Sequence, residues 1–224
     1  MILLTGGSGL LGRELKRLLP VLAPGRSELD ITKPFKLPEN VHLIVHSAAY
    51  TDLEGAERDA EEAYGVNVLG TMRMAEQNKP LVYISTEYVF DGGRGNYCEE
   101  DSPNPLNVYA RTKLIGESMS KYAPRWLIIR TLFKPRPYKH PRAPVDQWTT
   151  GDYVDVIAPK IAEAIKLFES EELDGIIHIG TEKKSSFDLA RQTRQVEPIS
   201  LDDIPMRLPR DTSLDTSKWA SLGH

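Results

Sequence analysis

The chain has 224 residues, 40% hydrophobic and 27% charged, a length suited to one ordinary domain or one domain with a small appendage rather than to two full ones. No apolar run approaches the ~20 residues of a bilayer-crossing helix, so neither a transmembrane helix nor a membrane partner is expected. Against 28 Lys and Arg stand 32 Asp and Glu, a net charge of −4 that argues against a protein coating nucleic acid and points to a small-molecule partner.

Met1 leads directly into Ile2-Leu3-Leu4 and a glycine loop, without the charged leader, apolar core and cleavage site of a signal peptide, so a cytoplasmic location is expected. Short apolar runs then alternate with stretches of helical period, the pattern of a doubly wound α/β fold in which crossover helices cover a parallel sheet. Residues 1–5 read as a strand, and Leu11, Leu15, Leu18 and Leu19 recur at helical spacing until Pro20. A weak strand at 21–23 is crowded by Pro20 and Pro24. Val41 to Val45 reads as a strand, 56–78 as one long helix, Leu81 to Ser85 as a strand, 107–122 as a helix and Trp126 to Arg130 as a strand. Beyond Thr131, Pro135, Pro137, Pro141 and Pro144 stand among Lys134, Arg136, Lys139, His140 and Arg142, and no regular element is expected there. A helix at 153–171, a strand from Ile176 to Ile179, a short helix at 185–194 and an irregular tail complete the reading. Residues 1–132 are expected to form a Rossmann-type core, and 133–224 a small C-terminal part that adds substrate-binding elements and the remaining core strand and helix. The single cysteine, Cys98, has no internal disulfide partner, and its neighbours Glu99 and Glu100 are expected to raise its thiol pKa.

Thr5-Gly6-Gly7-Ser8-Gly9-Leu10-Leu11-Gly12 sets glycines at 6, 9 and 12 between a strand and a helix. Such a turn lets backbone N–H groups and the positive helix end approach a pyrophosphate, which favours a dinucleotide site over a ligand-free tight turn. The adenine ribose belongs near the end of the second strand, where an acid suits a free 2′-OH and an arginine a 2′-phosphate. Arg26 in Gly25-Arg26-Ser27-Glu28 favours NADP(H), while Glu28 keeps NAD(H) open; Asp30 and Ile31 are further contacts toward the adenine edge.

Tyr109 and Lys113 stand at i and i+4, on one face of the 107–122 helix. An ordinary phenol, with a pKa near ~10, is a weak acid at neutral pH, and a neighbouring ammonium is expected to lower it. Ser85-Thr86 stands at the C-terminal end of a strand, the side on which open α/β sheets bind ligands.

Many separate stretches then share one pattern: Thr5 to Gly12, Glu28-Leu29-Asp30-Ile31-Thr32, Ser47-Ala48-Ala49-Tyr50-Thr51-Asp52, Val66-Asn67, Ile84 through Gly92, Asn104 through Tyr109, Lys113 to Glu117, Arg210, and Ser213 to Lys218. With them the chain resembles the extended short-chain dehydrogenase/reductases, and among these it is most similar to the dTDP-4-dehydrorhamnose reductases. The resemblance implies catalytic Thr86, Tyr109 and Lys113. Tyr109 corresponds to the proton donor, Lys113 to the lysine that binds the nicotinamide ribose, and Thr86 rather than Ser85 to the hydroxyl that holds the substrate oxygen. It implies cofactor contacts from Gly6, Gly9, Leu10, Leu11 and Gly12, from Ser47, Ala48, Ala49 and Tyr50, and from Tyr109 and Lys113. Thr51, Thr86, Glu87 and Tyr109 are the implied substrate contacts. Asn67 matches a helix asparagine near the site, with a backbone hydrogen bond as its alternative role. The implied reaction is reduction of a nucleotide-activated 4-keto-6-deoxy sugar by NADP(H), without a metal.

The family pattern breaks at 134–150, where the segment that covers the sugar nucleotide is shortened. Arg136, Lys139, His140 and Arg142 stand as either a diphosphate grip or a solvated basic loop. His42, His46 and His178 have no Cys or carboxylate at metal-ligand spacing and are expected as buried or edge residues. Trp126 belongs to the core; Trp148 is either core or a wall of the sugar pocket. Two other functions use the same residues. A nucleotide-sugar epimerase or dehydratase, for which Glu87 beside Thr86 is the acid, would recycle its cofactor. A non-catalytic regulatory subunit, as in methionine adenosyltransferase, would have lost turnover. No nucleic-acid partner is expected, and a homodimer stands open.

Overall fold

The computed structural model of the protein describes residues 1–223. The first apolar run forms β1 (Ile2–Thr5), buried throughout, and Leu11 and Leu15 bury one face of α1 (Leu10–Leu18) until Pro20 follows it. After the two-residue β2 (Val21–Leu22) come β3 (Leu43–His46), β4 (Leu81–Ile84) and β5 (Trp126–Arg130). Between β3 and β4 lie α2 (Leu53–Arg58), α3 (Ala60–Tyr64), a π-helical segment Gly65–Gly70 and α4 (Thr71–Ala75). Between β4 and β5 lies α5 (Val108–Ser120), capped by the Asn107 side chain, which accepts from the Ala110 N–H at 2.9 Å.

The helix expected at 56–78 is therefore corrected to a broken one. It starts earlier, because Asp52 caps α2 by accepting from the Gly55 N–H, and it is interrupted at Asp59, whose carboxylate caps α3 from the Glu62 N–H. The stretch 134–150 also holds regular structure: β6 (Phe133–Lys134), β7 (Arg142–Pro144) and β8 (Trp148–Thr149). These are too short for sequence periodicity to show, and each pairs with a strand far along the chain. β6 pairs with β9 (Asp152–Tyr153), β8 with β11 (Lys184–Ser185) and β7 with β12 (Glu197–Ile199). The remaining elements are α6 (Val154–Glu169), β10 (Gly175–His178), α7 (Ser186–Arg191) and α8 (Ser217–Ala220).

The main sheet has the order β10-β5-β4-β3-β1-β2 and is parallel throughout. Alternation along the strands divides the core. Ile2, Leu4, Val45, Ile84 and Ile129 face α1 and α6, where Leu15, Ile161 and Phe168 are fully buried. Leu3, Ile44 and Leu81 face the opposite side with Met74. Each such side chain contributes about 2 kcal/mol by leaving water. α6 packs on α1, and β10 extends the sheet beyond β5. Chain order reverses between β1 and β3, which opens a crevice beyond their C-terminal ends. The tail closes the far side, with Ser213 O accepting from the Tyr97 N–H and Gly92 O from the Asp211 N–H. Trp148 is 39% exposed, with the Lys183 ammonium over its ring, and so belongs to the surface rather than the core. His46 and His178 are fully buried. The Cys98 thiol is raised, first by hydrogen bonding to Asp101 rather than by Glu99, whose carboxylate accepts from the His178 N–H.

Candidate active site

Along the C-terminal edge of the sheet runs a cleft of about 560 Å³, bounded at one end by Arg26 beyond β2 and at the other by Lys134 beyond β5. Its middle is the crevice between β1 and β3. There Gly6, with φ +71°, turns the chain in the left-handed region that glycine favours, and a Cβ on it would meet Ala48 N at 2.7 Å. The loop is thus pressed against the loop that follows β3. Gly9 donates its N–H to Gly6 O at 2.9 Å. The donors offered to an anion are consequently those of Leu10 and Leu11, which open the first turn of α1, where no helical carbonyl stands one turn earlier. Gly12 does not line the cleft. A Cβ on it would meet Gly6 O at 2.2 Å, so Gly12 lets helix and turn pack rather than touch a ligand.

Ser47, Ala48, Ala49, Tyr50 and Thr51 line the next wall. They are held from beneath by two buried side chains. Asn67, in the π-helical segment, accepts from the Tyr50 N–H at 2.8 Å and donates to Tyr50 O and to Thr112 Oγ1. It lies behind the wall, so its backbone-bracing role is the one observed. His46 bridges Thr5 Oγ1 at 2.7 Å and Thr71 Oγ1 at 3.1 Å, and burial lowers its pKa to about 3, so it is neutral. At the Arg26 end, Glu28 turns back to accept from the Gly25 N–H at 2.8 Å and leaves the wall to Arg26, Asp30 and Ile31. Asp30 accepts from the Thr32 N–H and hydroxyl, which lowers its pKa. Of the two, Arg26 faces the cleft and Glu28 does not, and Asp30 is the acid that remains on this wall. A 2′-phosphate fits such an end, and the glycine cradle fits a pyrophosphate.

Thr86, Tyr109 and Lys113 come together on the wall beyond. Ser85 Oγ donates to Glu117 Oε1 at 2.6 Å, whereas Thr86 Oγ1 accepts from the Tyr88 N–H and keeps its own proton to donate. Thr86 is therefore the hydroxyl available in the cleft. Its bond to the Tyr109 phenol favours the phenolate, yet desolvation outweighs it and raises the Tyr109 pKa to about 12. The expected lowering by Lys113 is corrected. The Lys113 ammonium donates to Ile84 O at 2.7 Å and lies 4.1 Å from the centre of the Tyr83 ring, and burial lowers its own pKa to about 7. Glu117 opposes that fall. The same carboxylate is clamped by Arg130, at 3.0 Å from Nε and 2.8 Å from Nη2, both side chains being buried.

Glu87 is not brought into this group. Around the 3₁₀ turn Glu87–Val89, its cap Thr86 and Tyr88 reach the cleft while Glu87 points behind it, where Oε1 accepts from Thr149 and Thr212, each at 2.7 Å. Burial raises its pKa to about 7. The basic stretch is dispersed as well. Arg136 pairs with Asp155 at 3.0 Å, and Arg142 lines a separate hollow beside Glu197 and Asp203. Sequence reasoning missed several side chains of the cleft wall, among them Leu53, Glu62, Tyr88, Phe133 and Lys134. It also missed the clamp by Glu117 and Arg130, for which a buried acid one turn after Lys113 is the available signal.

A family described as RmlD substrate binding domain matches residues 1–133. The chain is 33% identical over 193 residues to a dTDP-4-dehydrorhamnose reductase of Aggregatibacter actinomycetemcomitans, covering 79% of this chain and 60% of that relative. It is 29% identical over 266 positions to a dTDP-4-dehydrorhamnose reductase of Mycobacterium tuberculosis, covering 99% and 87%. The crystal structure of a dTDP-4-dehydrorhamnose reductase from Bacillus anthracis in complex with NADP superposes with a TM-score of 0.84 at 25% identity, covering 99% of this chain and 92% of that one. With its parallel sheet, glycine cradle and Tyr109–Lys113 face, the chain belongs to the RmlD family within the extended short-chain dehydrogenase/reductases.

Proposed function

We propose that the protein is an NADP(H)-dependent reductase of a nucleotide-activated 4-keto-6-deoxy sugar. The observation that carries this reading is the wall on which Thr86, the Tyr109 phenol and the Lys113 ammonium meet, within one cleft that starts at the glycine loop. Relatives named dTDP-4-dehydrorhamnose reductase and the NADP complex of a structural neighbour support it.

Leu10 and Leu11 N–H groups bind the cofactor pyrophosphate, and Arg26 takes the 2′-phosphate. Lys113 holds the nicotinamide ribose. Bound NADPH supplies a hydride to the carbonyl carbon of the sugar. Thr86 donates a hydrogen bond to the carbonyl oxygen, and Tyr109 donates its proton to that oxygen as negative charge builds there, giving the alcohol. The raised pKa of Tyr109 keeps it loaded with this proton at neutral pH. An alkoxide is a far stronger base than a phenolate, so the transfer runs downhill once the hydride has moved.

The catalytic roles of Thr86, Tyr109 and Lys113 and the substrate contacts of Thr51 belong to this proposal, as do a cytoplasmic location, a partner set without nucleic acid and the division at residues 132/133. Among the described residues no helix is long and apolar enough to cross a membrane. The alignment to the Mycobacterium tuberculosis relative extends over 266 positions against 224 residues here, so this chain is shorter than the stretch of that relative it matches. Glu87 turned away from the cleft favours the reductase over a dehydratase, which needs an acid beside the hydroxyl. The test is a panel of nucleotide-linked keto sugars, monitored by the absorbance of NADPH and NADH. Stoichiometric NADPH oxidation is expected with a 4-keto-6-deoxy sugar. Turnover without net oxidation overturns the reading in favour of an epimerase or dehydratase, and binding without turnover overturns it in favour of a regulatory subunit.

A further inference from the structure

Three cationic side chains line the cleft: Arg26, Lys113 and Lys134. The first two are accounted for by the adenosine end and by the Ile84 carbonyl with the nicotinamide ribose. Lys134 follows β5, and Arg26 follows β2, so four strand spacings separate their places on the sheet edge, about 19 Å at ~4.8 Å each. The Tyr109–Thr86 wall lies between them. Lys134 thus stands past the reacting position, on the side where the substrate rather than the cofactor must lie.

The surroundings of Lys134 are unusual for a lysine. It is half-buried, its backbone is paired with β9, and among the described residues its ammonium has neither a hydrogen bond nor an ion pair. No carboxylate of the described residues stands within ion-pair distance of it; the negative charge that acts on it is that of Glu87, whose Oε2 is buried without a hydrogen-bond partner. Burial lowers the Lys134 pKa, and the Glu87 carboxylate opposes this and favours the charged form. A half-desolvated ammonium with open donors, in the field of a carboxylate and lining the same cleft as Tyr88 and Phe133, is built to meet an anion entering there. None of Arg136, Lys139, His140 and Arg142 of the neighbouring basic stretch lines the cleft. Arg136 is held by Asp155 and lies 4.2 Å from the centre of the Tyr153 ring, and Arg142 faces a different hollow.

We propose that Lys134 is a specificity-determining residue, whose ammonium takes the diphosphate of the nucleotide-linked sugar and so selects substrates that carry one. This rests on the reductase reading above, in which the diphosphate is the anionic group of the substrate and is attached across the sugar ring from the keto carbon. Lys134 donates to phosphate oxygens as a compact point charge, and Glu87 acts through it as a positioning residue.

The test is binding of dTDP, thymidine and NADPH to wild type and to Lys134→Met, Lys134→Gln and Lys134→Arg, by calorimetry. A charge-assisted hydrogen bond of about 1.5–3 kcal/mol corresponds to about tenfold or more in affinity. Lys134→Met and Lys134→Gln are expected to lose that factor for dTDP while thymidine and NADPH hold within about twofold, and Lys134→Arg to recover most of it. KM for a keto-sugar nucleotide should rise in parallel. Retained dTDP affinity in a folded Met or Gln variant overturns the proposal, and so does an equal loss for NADPH, which would move Lys134 to the nicotinamide. Absence of wild-type turnover with every keto sugar overturns the reductase reading alone, since the dTDP comparison still decides the role of Lys134.

Discussion

The ammonium of Lys113 is fixed 2.7 Å from the carbonyl oxygen of Ile84, which locks the helix carrying Tyr109 to the strand whose end carries Thr86. One hydrogen bond thereby sets the spacing of the three groups. Lys113→Met removes both this anchor and the ribose donor, and NADPH affinity should fall about tenfold or more. The pH dependence has a definite sign. Burial lowers the Lys113 pKa to about 7, so the lysine is an ammonium below that pH and an amine above it. NADPH affinity in the wild type should decline as pH rises through about 7, and fluorescence titrations should show this slope flattened in Lys113→Met. A pH-independent wild-type affinity would remove Lys113 from the ribose.

Tyr109→Phe deletes the transferable proton while leaving the ring that fills the wall. Turnover should drop by about 10²-fold or more, with NADPH binding retained, as measured by initial rates beside equilibrium titration. Activity within a few-fold of wild type would refute the assigned donor.

Glu117 and Arg130 form a buried pair, each 3% exposed in its side chain. Glu117→Gln keeps an acceptor for the Ser85 hydroxyl but leaves the Arg130 charge uncompensated, so the protein should lose about 3–5 kcal/mol of stability. Replacing both, as Glu117→Gln with Arg130→Met, should recover part of that loss in denaturant melts. A double variant less stable than the single one would contradict the pairing argument.

Asn67→Ala removes three hydrogen bonds, two of them to the Tyr50 backbone. The buried Thr112 hydroxyl and the Tyr50 N–H lose partners, at a cost of about 2 kcal/mol. Because Ala48 to Thr51 line the cleft, NADPH affinity should fall as well, although Asn67 touches no ligand. Asn67→Asp, which keeps the acceptor for Tyr50, should fall between the two in calorimetric binding.

Glu87 makes a second pH signature. Its pKa is raised from 4.5 to about 7 by burial, so the native state holds a proton that the unfolded chain releases between those values. Its contribution to stability is full below about 4.5 and is lost as pH rises through about 7. Glu87→Gln keeps the acceptor for Thr149 and Thr212 and cannot ionise, so its melting temperature should decline less over this window. The difference should amount to about 2–4 °C per kcal/mol, and identical pH profiles would show that Glu87 titrates normally.

The parallel sheet was legible because its strands are short apolar runs bounded by glycine, proline and helical spacing, as in Ile2–Thr5 and Trp126–Arg130. The cofactor loop was legible because Gly6 and Gly12 are required by local backbone geometry and close packing. The break at Asp59 and the π-helical segment around Asn67 were not, since both depend on side-chain bonds to the backbone and to Tyr50. Nor were β6, β7 and β8, whose partners lie up to dozens of residues away and whose lengths carry no period.

Sequence alone determined the class of fold, the dinucleotide turn and the Tyr109–Lys113 pair, because each is a matter of spacing within one strand, turn or helix. Only the tertiary structure decided the charge states and the facing of side chains. It withdrew Glu87 and Glu28 from the cleft, left Arg26 and Lys134 on it, and raised the phenol that proximity to a lysine was expected to lower. Burial and competing partners govern those outcomes, and both are set by residues distant in the chain.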